Sequence, residues 1–215
     1  MTLEQYMREL WLMDKQYGQE EELYPLINML LRDGVNTENL SIRDVHKSQR
    51  IKADNNKNVK SRKYIDGFGS FPDLAIFDES FPDLSDEENI VSNLKKIYGC
   101  VEAKCIGKDL IEFLDLNTTE IICEKNEEDN WIGYYGKKNK IILNEAKGRA
   151  NDAGQLLGEL LWYGKVLYTN GVIWKYYKLS EKSEEIINAI RKEWISADSN
   201  NGCLLYTSPS PRDRG

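Results

Sequence analysis

No stretch of this 215-residue chain is long and apolar enough to read as a membrane span, and Glu4 and Glu9 interrupt the N-terminus where a secretory leader would carry its apolar segment. Both absences point to the cytoplasm as the expected compartment. Histidine is nearly missing: His46 is the single one, which excludes a His-rich metal site and leaves one candidate for chemistry that needs an imidazole. It sits amid basic residues, where surface packing is its expected role. Cys100, Cys105 and Cys123 have no C-x-x-C spacing, so they read as buried or half-buried thiols rather than as a zinc set. There is no Gly-rich loop of the Walker type, and an ATP requirement would have to come from another domain. An excess of positive charge is missing too, since the formal net charge is −7. Taken over the whole chain, that argues against a broad phosphate-binding surface.

What is present suits one domain with a sizeable core, because 40% hydrophobic and 30% charged residues are ordinary for a soluble globular protein. The charge is spread unevenly. From Ser41 to Lys63 the chain carries Arg43, Lys47, Arg50, Lys52, Lys57, Lys60, Arg62 and Lys63 against Asp44 and Asp54, a local excess of six. Such a segment can track a nucleic-acid backbone through Lys47, Arg50, Lys52, Lys60, Arg62 and Lys63, or it can be a solvated hairpin. Acidic residues lie elsewhere. Ser85-Asp86-Glu87-Glu88 reads as a capping box opening a helix with Ile90, Val91, Leu94 and Ile97 inward. Glu120, Glu124, Glu127, Glu128 and Asp129 fall where turns at 126–130 and 136–139 separate apolar runs at Ile121-Ile122 and Ile141-Ile142-Leu143. That pattern predicts an added hairpin at a sheet's periphery.

Leu3, Tyr6, Met7, Leu10, Trp11 and Met13 recur at helical spacing and predict an amphipathic first helix. A second is predicted from about Glu20 to Arg32, with Leu23, Tyr24, Ile27, Leu30 and Leu31 inward, Pro25 tolerated in the first turn and Asp33-Gly34 ending it. Glu20 precedes Leu23 and Ile27 at helical intervals and shares their face. Further on, a helix from Asn151 to Tyr163 carries Leu156, Leu157, Leu160 and Leu161. Two strands follow, from Val166 to Thr169 and from Val172 to Leu179, joined at the tight-turn signal Asn170-Gly171. A last amphipathic helix runs from about Glu181 to Trp194. Trp162, Tyr163, Trp174, Tyr176 and Tyr177 read as core and sheet-face packing rather than as a base-stacking platform.

Two short apolar runs carry chemistry at one end: Phe71-Pro72-Asp73-Leu74-Ala75-Ile76-Phe77 and Tyr98-Gly99-Cys100-Val101-Glu102-Ala103-Lys104. Both are of strand length, and Pro72 stands where a sheet tolerates a missing N–H. On adjacent strands Asp73 and Glu102 come together. Alternation puts Glu102 and Lys104 on one face and leaves the Ala103 carbonyl available to an ion. Two carboxylates and a backbone oxygen suit Mg²⁺, and a Lys beside them can hold and help deprotonate an attacking water while a metal stabilises phosphoryl charge. Ile141-Ile142-Leu143-Asn144-Glu145-Ala146-Lys147 also ends in Glu-x-Lys. It is the rival for the catalytic strand, disfavoured by its greater distance from Asp73 along the chain.

Pro72-Asp73 followed by Glu102-Ala103-Lys104 resembles the PD-(D/E)xK nuclease superfamily. Three further segments follow in order: Gly107-Lys108-Asp109-Leu110, Gln155-Leu156-Leu157 opening a helix, and Tyr168 to Tyr177. With them the chain is similar to the N-terminal nuclease domain of type I restriction enzyme motor subunits and their small free-standing relatives. The resemblance covers most of residues 20 to 179 and departs from the pattern between Leu110 and Gly154, where this chain carries a long insertion. It implies an α/β fold with a restriction-endonuclease-like mixed central sheet flanked by helices, the inserted hairpin occupying about 111–150. It also implies a DNA-cleaving activity that uses Mg²⁺, or Mn²⁺ in its place. In the resembled family Glu20 would reach a metal-bound water, with Glu21 and Glu22 as rivals, and Gln155 would point at the site to position water or phosphate.

Residues 1–19 would form an added N-terminal helix and 20–196 the nuclease-like domain. The segment from Cys203 to Asp213 resembles a translated sequencing adapter, and residues 203–215 are set aside as non-native. Without their two Arg and one Asp the net charge moves from −7 to −8. Expected partners are DNA and either a second copy or a downstream motor or specificity subunit, with no membrane. A non-cleaving nucleic-acid-binding module and an interaction subunit of a larger complex are the rival readings. Asp73→Ala and Lys104→Ala are expected to abolish cleavage and leave the fold intact.

Overall fold

Helical spacing at the N-terminus and alternation in the runs around Asp73 and Glu102 produce the elements they predict, and the layers follow from which faces are apolar. The computed structural model describes residues 1–16, 18–34, 38–45, 64–65, 71–81, 90–111, 122–125, 127, 131–135, 139–142, 152–179, 184, 187–192 and 195. In chain order the elements are α1 (Leu3–Gln16), a 3-10 turn (Glu20–Glu22), α2 (Leu23–Arg32), β1 (Leu40–Asp44), β2 (Leu74–Asp78), α3 (Ile90–Lys95), β3 (Ile97–Ala103), β4 (Ile122–Lys125), β5 (Trp131–Tyr135), β6 (Asn139–Ile142), α4 (Asp152–Tyr163), β7 (Lys165–Thr169) and β8 (Trp174–Lys178). Residues 187–192 are helical as well. No helix among the described residues is long and apolar enough to cross a membrane.

A five-stranded sheet in the order β1-β2-β3-β7-β8 organises the molecule. It is mixed, as the sequence implied: β3 and β7 run parallel, and the other neighbours are antiparallel. The parallel pair needs a crossover, and α4 lies in that connection. Alternation then sorts the side chains. Ala75, Phe77, Cys100, Val166 and Tyr168 pack with Leu156, Leu157 and Leu160 of α4 and with Ile187 and Ile190. Leu74, Val101 and Ala103 pack with Tyr6 and Leu10 of α1 and Leu23 and Ile27 of α2. Each face of the sheet is thus covered by helices, and every fully buried Leu, Val or Phe in these layers contributes about 1.5–3 kcal/mol.

Several expectations need correction. The insertion is a three-stranded antiparallel sheet, β4-β5-β6, in place of a hairpin. The turn signals in the sequence at 126–130 and 136–139 delimit three segments, and Trp131-Ile132-Gly133-Tyr134-Tyr135 is rich in strand-favouring residues that supply the middle strand. The turn between β7 and β8 is wider than Asn-Gly. Asn170 Oδ1 accepts from the N–H groups of Val172 and Ile173 at 3.0 and 2.7 Å, drawing both residues out of the strand. Gly171 sits in this turn at φ 86°, where a Cβ would lie 2.9 Å from Leu10 Cδ2. Trp162 and Tyr163 are core residues, but Tyr176 is 62% exposed. Cys100 is buried and Cys105 half-buried. His46, the basic residues from Lys47 to Lys63, Ser85 to Glu88, and Glu145 with Lys147 lie outside the described residues.

Candidate active site

Strands β2 and β3 pair with Leu74 opposite Val101, which brings Asp73, just before β2, alongside the end of β3. The Ala103 N–H donates to Asp73 Oδ2 at 2.7 Å. From α2, the Tyr24 hydroxyl donates to Asp73 Oδ1 at 2.5 Å and lies 3.3 Å from Glu20 Oε1. A phenol has one proton to give, and the nearer Asp73 receives it. Alternation along β3 puts Glu102 and Lys104 together: Lys104 Nζ donates to Glu102 Oε1 at 2.5 Å, with Glu102 0% and Lys104 2% exposed. Asp73 is 1% exposed.

Helix α4 supplies the opposite wall. Its Asp152 places Oδ1 3.9 Å from Lys104 Nζ and Oδ2 2.8 Å from Lys108 Nζ. One turn on, Gln155 Nε2 donates to Glu159 Oε1 at 3.2 Å. Glu159 is fully buried against Glu102, where a proton on one carboxyl can be shared with the other. Apart from that proton, Glu102 Oε2 finds no donor.

Crowding of acids in a dry site dominates the electrostatics. Burial, then repulsion from Glu102 and Glu20, pushes the Asp73 carboxyl well above the usual range despite the Tyr24 and Ala103 donors. Burial and the Glu159 charge raise Glu102 likewise, against the pull of Lys104. Glu159 is pushed up to about 7, chiefly by burial. Burial works against the Lys104 ammonium, but Glu102, Glu20 and Glu159 outweigh it and hold its pKa above the ordinary value. At neutral pH this lysine is a cation that donates hydrogen bonds, not a free base.

The six residues expected at the site, Asp73, Glu102, Ala103, Lys104, Glu20 and Gln155, are gathered at one end of β2 and β3. Glu20 is the one of three successive glutamates whose charge is felt at Asp73, Glu102 and Lys104, whereas Glu22 turns back to the Gln19 N–H at 3.3 Å. Ala103 meets Asp73 through its N–H. The rival Ile141-Ile142 run belongs to β6, which pairs with β5 and not with β2. Sequence reasoning missed the roles of Tyr24 as the donor to Asp73, of Glu159, of Asp152 and of Lys108. Glu159 had a signal: it is a lone acid inside Leu156-Leu157-Gly158-Glu159-Leu160-Leu161-Trp162, four residues after Gln155.

Among the described residues no three His, Cys, Asp or Glu side chains stand at metal-ligand spacing. Two buried carboxylates that repel one another, one with an oxygen lacking a donor, nevertheless fit a hard divalent cation, since an ion relieves that repulsion with the oxygen chemistry it prefers. In comparisons with protein-family models, curated proteins and solved structures, nothing matches this chain.

Proposed function

We propose that this chain is a metal-dependent nuclease that hydrolyses phosphodiester bonds of DNA, with Mg²⁺ as its ion and Mn²⁺ as a substitute. One observation carries the reading: Asp73 just before β2, Glu102 near the end of the neighbouring β3 and Lys104 just past that end are all buried together. Burying charge is costly, and replacing such a cluster by apolar residues is commonly neutral or stabilising. A fold that keeps it has a use for it. Asp73, Glu102 and the Ala103 carbonyl would hold the ion, which when bound supplies Lewis-acid stabilisation of phosphoryl charge.

The chain's own residues do the rest. Tyr24 and the Ala103 N–H fix the Asp73 carboxylate in one orientation. The Lys104 ammonium, anchored by Glu102, is placed to donate to an attacking water or a phosphoryl oxygen, stabilising charge as it develops. Gln155, its amide nitrogen turned to Glu159, keeps its carbonyl oxygen for a water at the half-buried rim.

Cleavage of supercoiled plasmid and linear duplex with Mg²⁺ or with chelator tests the reading, in the parent and in Asp73→Asn and Lys104→Gln. Metal-dependent cleavage lost in both variants is the expected result. Cleavage at the parent rate in either variant overturns the site, and tight duplex binding with no cleavage under any metal would favour a binding module instead.

A further inference from the structure

We propose that Lys108 is a phosphate-binding side chain at the rim of this site, and that Asp152 occupies its phosphate position in the free protein. The proposal rests on the nuclease reading above and adds to it a substrate contact and a built-in competitor for that contact.

Lys108 belongs to the Gly107-Lys108-Asp109-Leu110 segment just past β3, and its backbone is held firmly. Gly107 turns the chain at φ 80°, the Lys108 N–H donates to Cys105 O at 3.1 Å, and the Lys108 carbonyl accepts from Asn170 Nδ2 at 2.8 Å. The side chain by contrast is 45% exposed, and Asp152 is 35% exposed. Asp152 presents one oxygen to each lysine, at 2.8 Å from Lys108 Nζ and 3.9 Å from the buried Lys104 Nζ. An anionic group therefore lies between the lysine of the catalytic strand and a lysine open to solvent, with two oxygens shared between two ammonium groups.

A backbone phosphodiester has the same charge and presents two such oxygens, and lysine is a common phosphate ligand. Lys104 has Glu102 as its own partner, so Asp152 is not needed to neutralise it. Exposed ion pairs are weak, and the Lys108 pair can open to an incoming strand. A DNA strand entering the site would thus displace Asp152 and place one phosphate on Lys108 next to the group bound at Lys104.

Duplex-oligonucleotide binding by the full chain, titrated with salt in chelator and again with Ca²⁺, tests this. The variants are Lys108→Gln, Asp152→Asn, the double variant, and Asp109→Asn as a charge-matched control on a neighbouring exposed acid. Lys108→Gln should weaken binding and reduce the slope of log K against log salt by about one, the loss of one phosphate contact. Asp152→Asn should tighten binding several-fold more than Asp109→Asn does, and that surplus should vanish when Lys108 is already Gln. An unchanged salt slope in Lys108→Gln, or a surplus that survives in the double variant, overturns the proposal. If the parent cleaves DNA with Mg²⁺ and these variants bind as it does, this inference alone fails. If the parent neither binds nor cleaves, the nuclease reading fails and takes this one with it.

Discussion

Asp73 and Asp78 stand at the two ends of β2, the first just before the strand and the second as its last residue. Asp78 is only half-buried. Its Oδ1 accepts from the Ser80 hydroxyl and the Ser80 N–H, its Oδ2 from Tyr98 at 3.1 Å, and these bonds hold its carboxyl below the ordinary value. Asp73 also has good donors, in Tyr24 and the Ala103 N–H, yet its carboxyl is pushed well above the ordinary value because burial and two neighbouring acids outweigh them. Hydrogen bonds alone do not distinguish a turn aspartate from a candidate metal ligand. What distinguishes them is whether water or other carboxylates complete the surroundings.

The largest effect expected on that contrast comes from Lys104→Ala. The sequence suggests that it spares the fold, but Lys104 is buried on Glu102, and removing it strands an uncompensated buried carboxylate at a cost of about 3–5 kcal/mol. Thermal melting in chelator should show the loss, and adding Glu102→Gln should recover much of it. A melt like the parent's would mean that the site end is as tolerant as the Asp78 end.

Next in size is the pH dependence. Glu159 has a folded pKa of about 7 against an ordinary 4.5, so the folded state binds the proton more tightly. Stability is therefore greatest with the proton on and falls as pH rises from about 4.5 to about 7, by on the order of 3 kcal/mol. Asp73 and Glu102 act in the same direction. Asp78, with a lowered pKa, acts in the opposite one, its contribution being lost as pH falls below the ordinary 3.8. Melting temperature against pH in chelator should decline across the upper window, Glu159→Gln should flatten that decline, and Mg²⁺ should offset it near pH 7. A flat parent profile would refute the picture of crowded acids.

Smaller again is Tyr24→Phe, which deletes the donor to Asp73 and should cost about 1–2 kcal/mol together with weaker Mg²⁺-induced stabilisation, read by calorimetry. Asp78→Ala should move stability least and leave the Mg²⁺ response intact. If it removed that response, the two ends of β2 would have been assigned the wrong way round.

Legibility in the sequence followed the range of the interaction. Asp73, Glu102 and Lys104 could be picked out because each ends an apolar run of strand length, and Glu20 because it shares the helical face of Leu23 and Ile27. The middle strand of the insertion escaped notice, although the two turns flanking Trp131 to Tyr135 implied it. Val172 and Ile173 carry strand-favouring side chains, but the Asn170 side chain captures their amides for the turn. Asp152 and Lys108 could not have been paired from the chain, since nothing local sets the spacing of a helix start against a loop that far upstream.

By itself the sequence determined the periodicities and hence the principal helices and strands of the main sheet, the apolar faces that make them stack, and the residues with chemistry to offer. Those depend on neighbours a few positions away. The tertiary structure decided which of those residues meet: Tyr24 on Asp73, Glu159 against Glu102, and Asp152 between Lys104 and Lys108. It also decided their protonation, because a carboxyl's pKa is set by the water it loses and the charges it gains when separate layers close over it.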